Sequence, residues 1–220
     1  MLNPIRDKYA LRKRLAAKKK PEQPRMACSV PSWGKAAQVN AAREFGSPSE
    51  QVAHDHLFPP TYAQEIVRVV EGEVGVKEHP AGSNRGTRVD VYELAVASWA
   101  LGKAWCADFV TWAHKEAAKR LGIRPPKFPA DPASVPYWTE MIRAGRGGWR
   151  RVEPAAARGG DVVCLWGSAH IETVISVDVH AHTLSCIGGN TSENGQSSNG
   201  GQVCRTVRNF SEVTVVGRWR

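Results

Sequence analysis

No stretch of this 220-residue sequence approaches the run of about 20 apolar residues that a membrane-spanning helix requires. The basic N-terminus has no apolar h-region behind it, so neither a secretory signal nor a transmembrane segment is expected. The five cysteines, Cys28, Cys106, Cys164, Cys186 and Cys204, are an odd number without tight spacing. They make neither a CxxC zinc knuckle nor a convincing disulfide framework, which points to a reducing compartment and at least one free thiol. Internal repeats and nucleic-acid-binding motifs are also missing, so no specific nucleic-acid partner is expected. What is present is a chain that is 42% hydrophobic, enough for one well-buried domain plus an appendage. Its net charge of +9 attracts polyanions, whether nucleic acid, an anionic membrane face or phosphate-rich wall polymers.

The basic residues crowd into residues 1–25, which carry Arg6, Lys8, Arg12, Lys13, Arg14, Lys18, Lys19, Lys20 and Arg25 but too few apolar residues for a core. This segment reads as a flexible basic arm. Residues 26–60 read as a short helical region around Lys35 to Phe45 and Ser49 to Leu57, ended by Pro59 and Pro60. His54 and His56 flank Asp55, but alternate residues on a helix do not face each other, and the pair reads as surface. The compact domain spans residues 61–220. Thr61 caps a helix with Ile66, Val69, Val70 and Val74 on its apolar face, and a second helix over Val89 to Ala100 buries Tyr92, Val96 and Trp99. A third starts near Cys106 and ends near Gly122. Residues 123–160 read as irregular apart from a helix around Val135 to Ala144.

After Gly160 the period changes to alternation. Strands are expected at Asp161 to Trp166, His170 to Val177, Thr183 to Gly188, Gln202 to Val207 and Val213 to Trp219. Helices followed by an antiparallel sheet make an α+β fold.

The chemistry centres on Cys106. It opens a helix whose apolar positions, Phe109, Val110, Ala113, Ala117 and Leu121, share its face. Unpaired N–H groups and partial positive charge at a helix N-terminus stabilise a thiolate. A buried core cysteine would show the same spacing. A thiol nucleophile needs a base, and the base an orienting group. His170 follows the turn Gly167-Ser168-Ala169 and opens a strand. A hairpin with a three-residue loop over Val179 to Ala181 places Asn190 across from His170, while Glu172 shares the face of His170 two residues on. Asn190 therefore ranks ahead of Glu172 as the orienting group. Asn84, Trp105 and Trp166 are candidates to line a substrate groove, with core packing the plainer account of Trp105 and an equal one for Trp166.

These motifs together resemble a known family. Trp-Cys-Ala-Asp-Phe-Val at 105–110, Arg-Gly-Gly-Asp-Val-Val-Cys-Leu-Trp at 158–166, His-Ile-Glu-Thr-Val-Ile at 170–175 and Ile-Gly-Gly-Asn-Thr at 187–191 are similar to the CHAP domain, the cysteine, histidine-dependent amidohydrolase/peptidase. The resemblance runs from about Thr61 to Arg220 and implies a papain-like fold related to NlpC-type peptidases. It implies Cys106 as nucleophile, His170 as general base and Asn190 as third member. The stretch Ser-Asn-Arg-Gly-Thr-Arg-Val-Asp at 83–90 also looks like a segment that precedes the catalytic helix in phage-type members. The sequence departs from the pattern twice: Glu172 stands where Gly commonly follows the His-Ile pair, and Gly188 where some relatives have Glu. No Asp-rich calcium loop is evident, so no metal or cofactor is expected.

By that resemblance the chain is a bacteriolytic peptidoglycan hydrolase of the bacteriophage endolysin kind. It would cut the muramoyl–L-alanine amide or a peptide bond of the stem or bridge, as a monomer. It would accumulate in the host cytoplasm and reach the wall when a holin opens the membrane, with the basic arm drawn to anionic wall polymers or the membrane surface. Two other readings stand beside it: a non-enzymatic polyanion- or cell-wall-binding protein, and a zinc hydrolase with His170, Cys164 and Cys186 as ligands.

Overall fold

The computed structural model describes residues 60–192 and 199–220. The basic arm of residues 1–25, the helical reading of residues 26–59, the His54/His56 pair and Cys28 lie outside the described residues. Among the described residues four α-helices come first: α1 (Tyr62–Glu71), α2 (Val89–Leu94), α3 (Cys106–Arg120) and α4 (Val135–Arg143). Six strands follow: β1 (Trp149–Val152), β2 (Val162–Leu165), β3 (His170–Asp178), β4 (Thr183–Thr191), β5 (Gln202–Asn209) and β6 (Val213–Trp219). They form one antiparallel sheet in the order β1-β6-β2-β3-β4-β5. The fold is α+β.

Local signals explain most of the boundaries. Thr61 caps α1 through a reciprocal capping box with Gln64, and Ile66, Val69 and Val70 are buried as their spacing requires. Val74 falls outside the expected apolar face, because α1 stops at Glu71 and Val74 is 41% exposed. The second helix is also shorter than expected. It ends at Leu94, Ala97 is extended, and a 3-10 turn over Ser98–Ala100 turns Trp99 to the surface, where Lys103 sits over its ring. Strand β1, which pairs with β6, lies in a segment read from sequence as irregular; four residues are too few to display a period.

Helix α3 is the pillar of the domain. One side, with Trp105, Phe109, Trp112, Ala113 and Ala117, packs with α1, α2, Ile187 and Val203. The other, with Cys106, Ala107 and Val110, packs with Trp138, Ile142, Trp149, Cys164, Ile171 and Val215. A third cluster, Val163, Leu165, Val174, Leu184, Cys186 and Val216, takes the alternate positions of the strands and so lies on the other face of the sheet.

Close approach of β4 to α3 depends on a glycine: a Cβ on Gly189 would stand 2.6 Å from the Trp105 ring and 2.7 Å from the Phe109 Cβ. Gly189→Ala is therefore expected to destabilise the fold by about 1–3 kcal/mol through overpacking, measured as a lowered denaturation midpoint with an unchanged m-value.

Candidate active site

Trp105, at the N-cap of α3, provides no side-chain cap, so the first N–H groups of the helix are not claimed by one. Cys106 follows, 5% exposed. The loop leading into it is held by Glu93, whose carboxylate accepts from the backbone N–H of Gly102 at 2.8 Å and of Lys103 at 3.2 Å. His170, the first residue of β3, has no exposed surface, and the Cys106 sulfur is near enough to act on its ring electrostatically. His170 Nε2 lies 3.2 Å from Glu172 Oε1. Neither ring nitrogen has a fully aligned hydrogen-bond partner among the described residues, a geometry that suits a group that must pass a proton on. Burial alone would push the imidazolium down, but the Cys106 sulfur and the Glu172 carboxylate outweigh it and raise the His170 pKa.

The structure therefore sets Glu172, and not Asn190, beside His170. Asn190 donates through Nδ2 to Asn84 Oδ1 at 3.3 Å and to Asn199 Oδ1 at 3.2 Å, and its Oδ1 accepts from the Gly201 N–H at 3.2 Å. It ties the loop that carries Asn84 to the turn before β5. The reason lies in the register. The β3–β4 connection spans four residues, with Asp178 paired to Thr183. A bulge between Val174 and Ser176 then restores the expected pairing, Thr173 with Ile187. A second irregularity between Gly188 and Thr191, with Asn190 at φ 50°, turns the Asn190 side chain away.

Glu172 occupies the space that a side chain at 188 would take. A Cβ on Gly188 would lie 2.7 Å from the Glu172 Cγ and Oε1. With that space open, the carboxylate reaches across β4 to β5, where Thr206 Oγ1 donates to Oε2 at 2.8 Å and Arg208 Nε donates to Oε2 at 2.9 Å. Arg208 Nη2 donates to Oε1 at 2.5 Å. Burial would raise the Glu172 pKa, yet the bonds from Arg208 and His170 hold it well below the ordinary carboxylate range. Thr206 and Arg208 escape the sequence reading. Their signal is the alternation of β5, which puts Cys204, Thr206 and Arg208 on one inward face, where a buried arginine demands a carboxylate.

The three groove candidates separate. Trp105 has no exposed surface, so it does not line a groove; its indole N–H donates to Glu78 Oε1 at 2.9 Å inside the core. Trp166 is half-buried, with its ring stacked on His170 at 5.7 Å and its N–H donated to Glu212 Oε1 at 3.0 Å. Asn84 is half-buried at φ 51°. The zinc reading fails on geometry: Cys164 and Cys186 lie on opposite faces of the sheet from each other, so they do not both converge on His170, and among the described residues no three His, Cys, Asp or Glu side chains cluster to hold a metal. Burial pushes the Cys164 thiol up to about 12 and that of Cys186 upward as well, so both are inert beside Cys106.

Replacing Glu172 by Gln is expected to lower the His170 pKa in an NMR titration, while Asn190→Ala leaves it in place; the reverse result would return Asn190 to the third position. Glu172, held below its usual 4.5, adds stability that is complete above that pH and lost as pH falls through its depressed value. His170, raised above 6.5, adds stability that is complete below that pH and lost as pH rises through its raised value. The stability gap between wild type and Glu172→Gln should therefore be widest between pH 4.5 and 6.5 in urea titrations. Gly188→Ala should displace the carboxylate and lower the His170 pKa in the same titration.

Comparison with known proteins gives little to set beside this geometry. No protein-family model matches the chain, and no curated protein matches its sequence. Among solved structures, one titled "The crystal structure of Ly7917" is similar over 72% of this chain at 13% identity and a TM-score of 0.42. The chain spans 63% of the length of that neighbour.

Proposed function

We propose that this chain is a cysteine-dependent hydrolase of peptidoglycan amide bonds, built on a papain-like arrangement of the CHAP kind and bacteriolytic in the manner of an endolysin. The observation that carries the reading is the buried series Cys106, His170 and Glu172: a thiol at an uncapped helix N-terminus, an imidazole against it, and a carboxylate 3.2 Å from Nε2. These are the parts of an activated nucleophile, its base and the group that orients the base. The choice of peptidoglycan rests on the motif resemblance over residues 61–220. Its placement in a phage-infected cytoplasm, with holin-dependent release to the wall, rests there too.

In this mechanism, the His170 imidazole takes the Cys106 proton, and Glu172 stabilises the resulting imidazolium. The thiolate attacks the amide carbonyl, and the first N–H groups of α3 donate to the oxyanion. His170 then protonates the leaving amine as the C–N bond breaks. A water molecule, deprotonated by His170, attacks the thioester, and Cys106 is released as the thiol. Glu172 remains ionised throughout because Arg208 and Thr206 hold both of its oxygens. Residues 1–25 contribute wall affinity through their charge, drawn to anionic polymers of the envelope.

Mass spectrometry of purified peptidoglycan after digestion tests the reading. Wild type is expected to yield new fragments whose masses identify the cleaved amide, and Cys106→Ala none. Binding without new fragments from wild type would favour a wall-binding protein instead. A Cys106→Ala variant as active as wild type would remove the thiol mechanism.

A further inference from the structure

Strand β5 is an edge of the sheet, yet its Arg208 is 2% exposed. A guanidinium withdrawn from water on an edge strand is held there by something specific. Its Nε and Nη2 grip the two oxygens of Glu172 as a fork, at 2.9 and 2.5 Å, and the same Nη2 reaches Thr191 Oγ1 at 3.5 Å. The guanidinium carbon lies 4.7 Å from the centroid of the Trp166 ring, and that ring stacks on His170 at 5.7 Å with an interplanar angle of 22°. Trp166 thus contacts both Arg208 and His170, and Glu172 joins the same two. Oε1, the oxygen that Nη2 binds, is also the oxygen nearest His170 Nε2.

We propose that Arg208 is the positioning residue of the His170–Glu172 pair: its fork fixes the plane of the carboxylate and keeps Oε1 aimed at the imidazole, while Trp166, in contact with both guanidinium and imidazole, fixes the plane of the imidazole. The inference builds on the reading of Cys106 as the nucleophile. A lysine at 208 supplies the charge without the fork or the stacking surface, so it replaces Arg208 only in part. Among the described residues these groups face the pair. Cys106 on α3 meets His170, and Cys186 on β4 and Thr206 on β5 lie by the carboxylate. Glu212, which accepts the Trp166 N–H, is the next charge beyond Arg208. None of these is a second cation for Glu172. Without Arg208 the carboxylate takes up a proton more readily, the imidazolium loses its counter-charge, and the Cys106 thiolate loses population at low pH.

The test needs no substrate. Alkylation of Cys106 by iodoacetamide is followed by peptide-resolved mass spectrometry on the full chain, with each variant's folding checked by thermal unfolding. The quantity read is the rate at pH 6 divided by the rate at pH 9.5. In Arg208→Met this ratio should fall about tenfold, the effect of one pKa unit. Arg208→Lys should fall by less, and Thr206→Val, which removes one bond to Oε2, should shift in the same direction. If Arg208→Met does not fold, Arg208→Lys and Thr206→Val decide the matter. A wild-type ratio in every folded variant would overturn the role of Arg208 while leaving the nucleophile reading intact. A wild-type Cys106 unreactive at pH 6 would defeat the nucleophile reading and this inference with it.

Discussion

A carboxylate with no exposed surface is expensive unless every oxygen is matched, and the domain is organised to match those of Glu172. The matching draws on three strands. Glu172 comes from β3, Gly188 on β4 leaves the passage open, and Thr206 and Arg208 on β5 close it. Because the charge is satisfied on one side by Arg208, it remains available on the other as the counter-ion of His170. The edge strand is thereby tied to the candidate reaction centre through an ion pair and a stacked ring, in addition to its ladder of backbone bonds.

The helical half contributes rigidity of a different kind. α3 is buried on two sides, between α1 and α2 on one and α4 on the other, so the position of Cys106 is set by packing on both flanks. Further acids lie close to its first turn. Asp108 has no exposed surface, and burial together with Glu93 and Asp131 pushes its pKa up to about 8. Burial raises Glu93 to about 7. Near pH 7 Asp108 is largely neutral and Glu93 is about half ionised, so the negative charge beside the thiol is reduced.

Much of the layout was legible because it rests on local rules. The Thr61 cap, the start of α3 at Cys106, the helix after Ser134 and the switch to period-two segments after Gly160 each follow from residues within one or two turns of each other. The misreadings share a cause as well. The spacing of Trp99 from Tyr92 fits a helix face, but the helix ends at Leu94. β1 forms because β6 offers it a partner, which four residues cannot announce.

The third member of the candidate site shows the boundary most clearly. Sequence determined that Cys106 begins a helix, that His170 begins a strand, and that Glu172 and Asn190 are the polar groups within reach, since periodicity and turn residues are properties of short segments. Choosing between the two depended on two bulges in β4's pairing and on the absence of a side chain at Gly188. Only the tertiary structure decided that Glu172 stands against His170 with Arg208 behind it. A bulge moves a side chain from one neighbour to another without leaving a periodic trace, and a buried ion pair joins residues 36 positions apart that no local pattern connects.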